Sequence, residues 1–107
     1  MVKGDIVLIT FPFSDLTGTK LRPAIVLIPT SDDVTVCFIT SKENSKEKWD
    51  IELEPSIDNG LKKISFIKPG KIATLQQSLI KGVLGKLNTQ ETISLDKSLK
   101  ALFEIKD

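Results

Sequence analysis

The chain is predicted to be mainly β, a small barrel or strongly bent sheet closed by one C-terminal helix. Three observations predict this. Six or seven short apolar runs, rich in β-branched residues, follow one another between clusters of Pro, Gly, Asn, Asp and Ser. Near the C-terminus the apolar period lengthens from two residues to about 3.6. No repeat, linker or low-complexity run interrupts the 107 residues, so one domain spanning 1–107 is expected.

The first strand is read at Ile6 to Phe11, and Pro12, Ser14, Asp15, Gly18 and Thr19 supply a polar loop up to Lys20. Ala24 to Ile28, held between Pro23 and Pro29, and Val34 to Ile39 make an antiparallel pair joined through Thr30-Ser31-Asp32-Asp33. A charged stretch from Ser41 to Lys48 follows. Trp49, Ile51 and Leu53 then alternate with Asp50 and Glu52, the pattern of a half-buried strand. Asp58-Asn59-Gly60 marks a turn. Ile64 to Ile67, Ile72 to Leu75 and Leu79 to Leu84 are three further strands, divided by Pro69-Gly70 and by Gln76-Gln77-Ser78. Leu95, Leu99 and Leu102 share one helical face and Asn88 with Glu91 forms a cap pair, which predicts a helix from about Thr89 to Glu104.

Composition removes several chemistries. The chain has no histidine, no tyrosine and a single arginine, Arg22, against fourteen lysines. Serine-histidine triads, histidine-pair acid-base catalysis and ordinary zinc sites are excluded, and neither metal nor cofactor is expected. A net charge of +1 argues against a uniformly basic polyanion binder and leaves room for a local basic cleft. Cys37, alone and inside an apolar run, reads as a small buried hydrophobe and excludes a disulfide framework. The apolar run near the N-terminus, about eight residues, is too short to span a bilayer and lacks a signal cleavage site, so a cytoplasmic protein without a membrane partner is expected.

Lys20-Leu21-Arg22-Pro23 is the most informative segment for function. Pro23 holds Arg22 in extended backbone, and a guanidinium offers a rigid, permanently charged fork matched to phosphate oxygens. From the residue type alone, a surface ion pair with Asp15 or another carboxylate is the commoner explanation. Thr40-Ser41-Lys42 ends the third strand, and antiparallel pairing with the strand at Pro23 brings Thr40 close to Arg22. Taken singly, Thr40 and Ser41 read as strand-end caps. Lys62, Lys63, Lys68, Lys71 and Lys81 either line a basic groove or form a solvated face. Phe13 and Trp49 either stack on bases or, for Trp49 above all, fill a half-buried core position.

Gly4-Asp5-Ile6-Val7-Leu8-Ile9, then Phe11-Pro12-Phe13, the loop Ser14 to Thr19, and Lys20-Leu21-Arg22-Pro23-Ala24-Ile25-Val26-Leu27 together resemble the opening of MazF/PemK-family toxins. The resemblance continues through Phe38-Ile39-Thr40-Ser41, Ser65-Phe66-Ile67, Lys71 to Leu75 and Val83 to Leu87. It implies an SH3-like barrel with a C-terminal helix, the CcdB/MazF-like toxin fold. It further implies a homodimer whose interface forms an RNA groove, metal-independent cleavage of single-stranded RNA, and a cognate antitoxin protein as inhibitor. Position by position, it implies Arg22 and Thr40 as catalytic residues. Asp15, Thr17, Thr19, Lys20, Ser41, Lys42, Ser65, Lys71 and Thr74 are the RNA-binding candidates. Members of the family often carry an arginine directly before the threonine of the sixth strand, where this chain has Ala73 before Thr74 and Lys71 nearby.

Two other readings keep the fold. One is a gyrase-binding toxin without catalysis, and the other is an SH3-like module that binds peptide or nucleic acid. The pairing of Arg22 with Thr40 favours RNA cleavage by attack of the RNA's own 2'-hydroxyl, which leaves a 2',3'-cyclic phosphate and a 5'-hydroxyl. A guanidinium stays charged at any physiological pH and is a poor proton acceptor, and Asp15 is a candidate acceptor by its place in the loop.

Overall fold

The computed structural model describes residues 1–11, 20–42 and 47–106. The strands are β1 (Asp5–Phe11), β2 (Lys20–Pro29), β3 (Asp33–Thr40), β4 (Ile51–Leu53), β5 (Ser65–Gln76) and β6 (Ile80–Lys86), and the helix is α1 (Thr89–Leu102). They form a six-stranded antiparallel sheet in the order β4-β5-β3-β2-β1-β6. The expected class, mainly β with a C-terminal helix, is the one observed.

One boundary differs. The two strands expected at 64–67 and 72–75 are a single strand, β5. Cys37 pairs with Ile72 and Phe38 with Lys68, so Pro69, Gly70 and Lys71 bulge out of the ladder without ending it. A proline has no N–H to give to a ladder, which explains why the interruption falls there. A second bulge lies in the β2–β3 hairpin: Val26 pairs with Val36 but Ile28 with Thr35, leaving Leu27 as an extra residue on β2.

The central strands read as continuous apolar runs because both faces of the sheet are covered. On one face Ile6, Ile25, Cys37, Ile39, Leu53 and Ile67 pack with Leu87 and with Leu95 of α1. On the other, Val7, Ile9, Ala24, Val26, Val34, Val36 and Leu75 meet Leu79 and Ile80. Cys37 is fully buried, and burial pushes its thiol up to about 12, so it stays protonated and unreactive at neutral pH.

The helix begins as expected. Asn88 Oδ1 accepts the Glu91 N–H at 2.7 Å, and Glu91 Oε1 accepts the Asn88 N–H at 2.8 Å, a complete capping box. Its regular turns end at Leu102, two residues before the expected stop, and Glu104 adopts a left-handed φ of 56°. Among the described residues no helix is long and apolar enough to cross a membrane.

Candidate active site

Strand register builds the site. The β2–β3 ladder closes with Ile25 paired to Cys37 and Ala24 to Phe38; the same register carried two residues past that last rung sets Arg22 opposite Thr40. Arg22 also pairs with Ile9 on β1, Thr40 with Phe66 on β5, and Phe66 with Glu52 on β4. The result is one row across the sheet: Ile9, Arg22, Thr40, Phe66, Glu52. Because cross-strand partners share a face, the whole row projects from the side opposite α1. Directly opposed residues have Cα atoms about 4.5–5.5 Å apart, close enough for both side chains to reach one phosphate.

The neighbours shape the chemistry. Ile9 is fully buried and Phe66 nearly so, hence the stem of Arg22 lies against apolar surface. Arg22 is half-buried and its Nε is enclosed, a setting of low local dielectric in which its charge acts strongly on an anion. Thr40 is half-buried as well, and its Oγ1 accepts the Lys42 N–H at 3.1 Å. That bond fixes the hydroxyl's lone pairs and leaves its proton to be donated outward. An arginine and an oriented hydroxyl on one row can together hold a tetrahedral or pentacoordinate oxyanion.

A second row runs beside the first: Val7, Ala24, Phe38, Lys68. The β4–β5 register extended by one residue adds Asp50 opposite Lys68. Lys68 Nζ lies 2.5 Å from Asp50 Oδ2, with the two side chains only 8% and 5% exposed. Asp50 Oδ2 also accepts the Glu47 N–H at 2.9 Å, while its Oδ1 is buried and accepts no bond among the described residues. This pair borders a cleft of about 270 Å³ lined by Glu47, Trp49, Asp50, Lys68, Gly70 and Lys71. A Cβ at Gly70 would lie 3.4 Å from Trp49 Nε1 and 4.0 Å from Leu102 Cδ2, so the indole and the end of α1 both border the bulge. Lys48 Nζ stands 5.4 Å from the Trp49 ring centroid.

The residues singled out in the sequence fall into three groups. Arg22 on β2 and Thr40 at the end of β3 fall on one face, opposite each other when the β2–β3 register is carried past its last rung, with Lys42 bonded to Thr40 and Lys71 on the cleft wall beside the next row. Ser41 is exposed just past the end of β3. Ser65 pairs with Leu53 and Thr74 with Thr35, which sets both on the face that carries α1; Ser65 donates to the Lys63 carbonyl, and the Thr74 and Thr35 hydroxyls are 2.7 Å apart. Asp15, Thr17 and Thr19 lie outside the described residues, as do Phe13 and the side chain of Lys20. Among the lysines proposed for a groove, Lys62, Lys63, Lys71 and Lys81 are exposed, but Lys68 is buried and neutralised by Asp50. The Asp50–Lys68 pair went unread in the sequence. The alternation around Ile51 and around Ile67 sets both residues on one face once β4 and β5 are paired, and that pairing has no local signal.

Comparison with known proteins adds the following. The family model described as PemK-like, MazF-like toxin of type II toxin-antitoxin system matches residues 2–103. Comparison with curated proteins by sequence gives no match. Among solved structures, a mycobacterial endoribonuclease in complex with its cognate antitoxin is similar with a TM-score of 0.80 at 12% identity, over 100% of this chain and 98% of that one. The Mycobacterium tuberculosis toxin MazF-mt6 gives 0.79 at 18% identity, over 96% and 99% of the two chains. MazF of the Deinococcus radiodurans MazE-MazF complex gives 0.78 at 18%, over 99% and 97%. At these identities the structural likeness is one of fold.

Proposed function

Since the chain belongs to the PemK-like, MazF-like toxins of type II toxin-antitoxin systems, we propose that it is a sequence-selective endoribonuclease acting on single-stranded RNA without a metal ion. The observation that carries this reading is the register of β2 between β1 and β3, which carried past its last rung sets Arg22 opposite Thr40 on an apolar floor and clear of the helix. In the proposed reaction the 2'-oxygen of one nucleotide attacks the adjacent phosphorus and the bond to the 5'-oxygen breaks. The products are a 2',3'-cyclic phosphate and a 5'-hydroxyl.

Arg22 neutralises the non-bridging oxygens as charge builds on them, and the Thr40 hydroxyl donates to the same phosphate. Lys42 holds that hydroxyl through its backbone N–H. The 2'-hydroxyl proton passes to an acceptor, for which Asp15 is the candidate, and the departing 5'-oxygen takes up a proton. Ser41 and Lys71, with Thr17, Thr19 and Lys20 of the loop, guide the flanking backbone. The active form is a homodimer whose two copies share the RNA groove, and it works in the cytoplasm. Two of the structurally similar proteins are complexes with an antitoxin. By extension an acidic, partly disordered antitoxin covers this groove and competes with RNA.

The test is incubation of the purified chain with a long, weakly structured RNA in excess EDTA, beside Arg22→Ala, with fragment ends mapped chemically. Site-selective cuts with cyclic-phosphate ends, absent in the variant, are expected. Wild-type cleavage by Arg22→Ala eliminates the mechanism.

A further inference from the structure

The cleft beside the active row has features that phosphate handling does not require. Its wall includes Trp49, the chain's sole tryptophan, half-buried against the Gly70 bulge. The carboxylate on its inner side is unevenly bonded: Oδ2 of Asp50 takes two donors, the Glu47 N–H and Lys68 Nζ, while Oδ1 is buried with none among the described residues. A buried acceptor without a donor is rare in folded proteins and favours any ligand that brings one. Donors accompany it, for Lys71 is exposed at the same cleft.

Distance ties the cleft to the site. Lys68 pairs with Phe38, two residues from Thr40 on the same strand and the same face, so Lys68 and Thr40 are diagonal neighbours about 7–8 Å apart. The cleft lies beside β4, the edge strand, and its Gly70 wall reaches towards α1, so a strand of RNA held at Arg22 and Thr40 comes to it within a nucleotide or two by rounding that edge.

We propose that this cleft receives one unpaired nucleobase of the bound RNA, and that it selects a base carrying an exocyclic amino group. The inference rests on the ribonuclease reading given above. Trp49 supplies the aromatic wall, Asp50 Oδ1 accepts the amino N–H after a small opening, and Lys71 donates to the ring acceptor beside that amino group. Adenine, cytosine and guanine each present an exocyclic amino donor on the pairing edge, whereas uracil's donor there, N3–H, is flanked by two carbonyl oxygens that repel a carboxylate. The cleft thus fixes one letter of the cleavage sequence as not uridine.

Trp49 reports its own occupancy, because a stacked base quenches indole fluorescence and the chain has no other tryptophan and no tyrosine. The full-length chain is titrated with short 2'-O-methyl oligouridines, which cannot be cleaved, each carrying a single A, C or G at successive positions. One position should quench Trp49 and bind about ten-fold tighter than the all-uridine parent, the worth of one charge-assisted hydrogen bond. Lys68→Met/Asp50→Leu, which replaces the ion pair by apolar groups, should quench without this preference. Equal quenching by all four bases, or none, beside intact Arg22-dependent cleavage overturns the base site and leaves the ribonuclease standing. Base-selective quenching by a chain that cuts no RNA upholds the base site and refutes the ribonuclease.

Discussion

Replacing Lys68 by methionine removes, among the described residues, the one cation bonded to a carboxylate that is 5% exposed, and leaves Asp50 with the Glu47 N–H as its donor there. Breaking a buried pair on one side costs about 3–5 kcal/mol, because the surviving charge is held out of water. With a urea slope near 2 kcal/mol/M, typical of small domains, the unfolding midpoint should fall by roughly 2 M. The double variant Lys68→Met/Asp50→Leu should recover most of the loss, since apolar groups of similar size replace the pair with little net change. Lys3→Ala is the internal control. It breaks a 2.6 Å pair with Asp96 whose side chains are 45% and 44% exposed, and should cost no more than about 1 kcal/mol. Unfolding is followed by far-ultraviolet circular dichroism, because Trp49 fluorescence responds to the same cleft. If Lys68→Met matches Lys3→Ala, or if the double variant is as weak as the single, the pair does not hold β4 and the preceding segment as argued.

Two further outcomes are expected. Thr40→Val keeps the shape of the side chain and deletes its hydroxyl, so single-turnover cleavage of a synthetic RNA should slow by about 10²–10³-fold with unchanged melting, while Thr40→Ser retains most of the rate; a valine variant near the parental rate removes Thr40 from the mechanism. The second outcome concerns Cys37, whose thiol titrates near 9.0 when unfolded and is pushed to about 12 by burial. The folded chain keeps a proton that the unfolded chain releases, so stability is full below pH 9 and falls as pH rises towards 12, by on the order of 4 kcal/mol in all. Cys37→Ala should flatten that part of the pH–stability curve, and a slope equal to the parent's would show that the thiol is not the group responsible.

Much of the fold was legible because local signals and global structure agree. The β2–β3 pairing followed from two apolar runs and the turn between them, and the capping box from Asn88 and Glu91 alone. The placing of Arg22 and Thr40 on neighbouring strands was legible for the same reason, since strand pairing converts sequence order into distance. Elsewhere the pattern misled. Pro69-Gly70 reads as a break between strands, yet β5 continues beyond it because Phe38 and Cys37 hold the two sides of the bulge in one ladder. Ser65 and Thr74 lie in segments that resemble the family, but alternation turns both to the helix side, and period two is decisive only once a strand's partners are known. Lys68 reads as one more surface lysine because its partner Asp50 is 18 positions away, just before a strand of three residues.

The extra residue at Leu27 has a consequence for which hydroxyl serves the site. Counted from the turn, Ile28 faces Thr35 and Pro29 faces Val34; carried down the hairpin unchanged, that count would set Arg22 against Ser41. The bulge shifts the phase by one, so the lower half of the hairpin counts from a different origin and Arg22 meets Thr40. Two adjacent hydroxyls are thus told apart by a single uncounted residue far from either of them. The turn sets where the hairpin folds back, and Leu27 sets which letter of β3 it presents to the arginine.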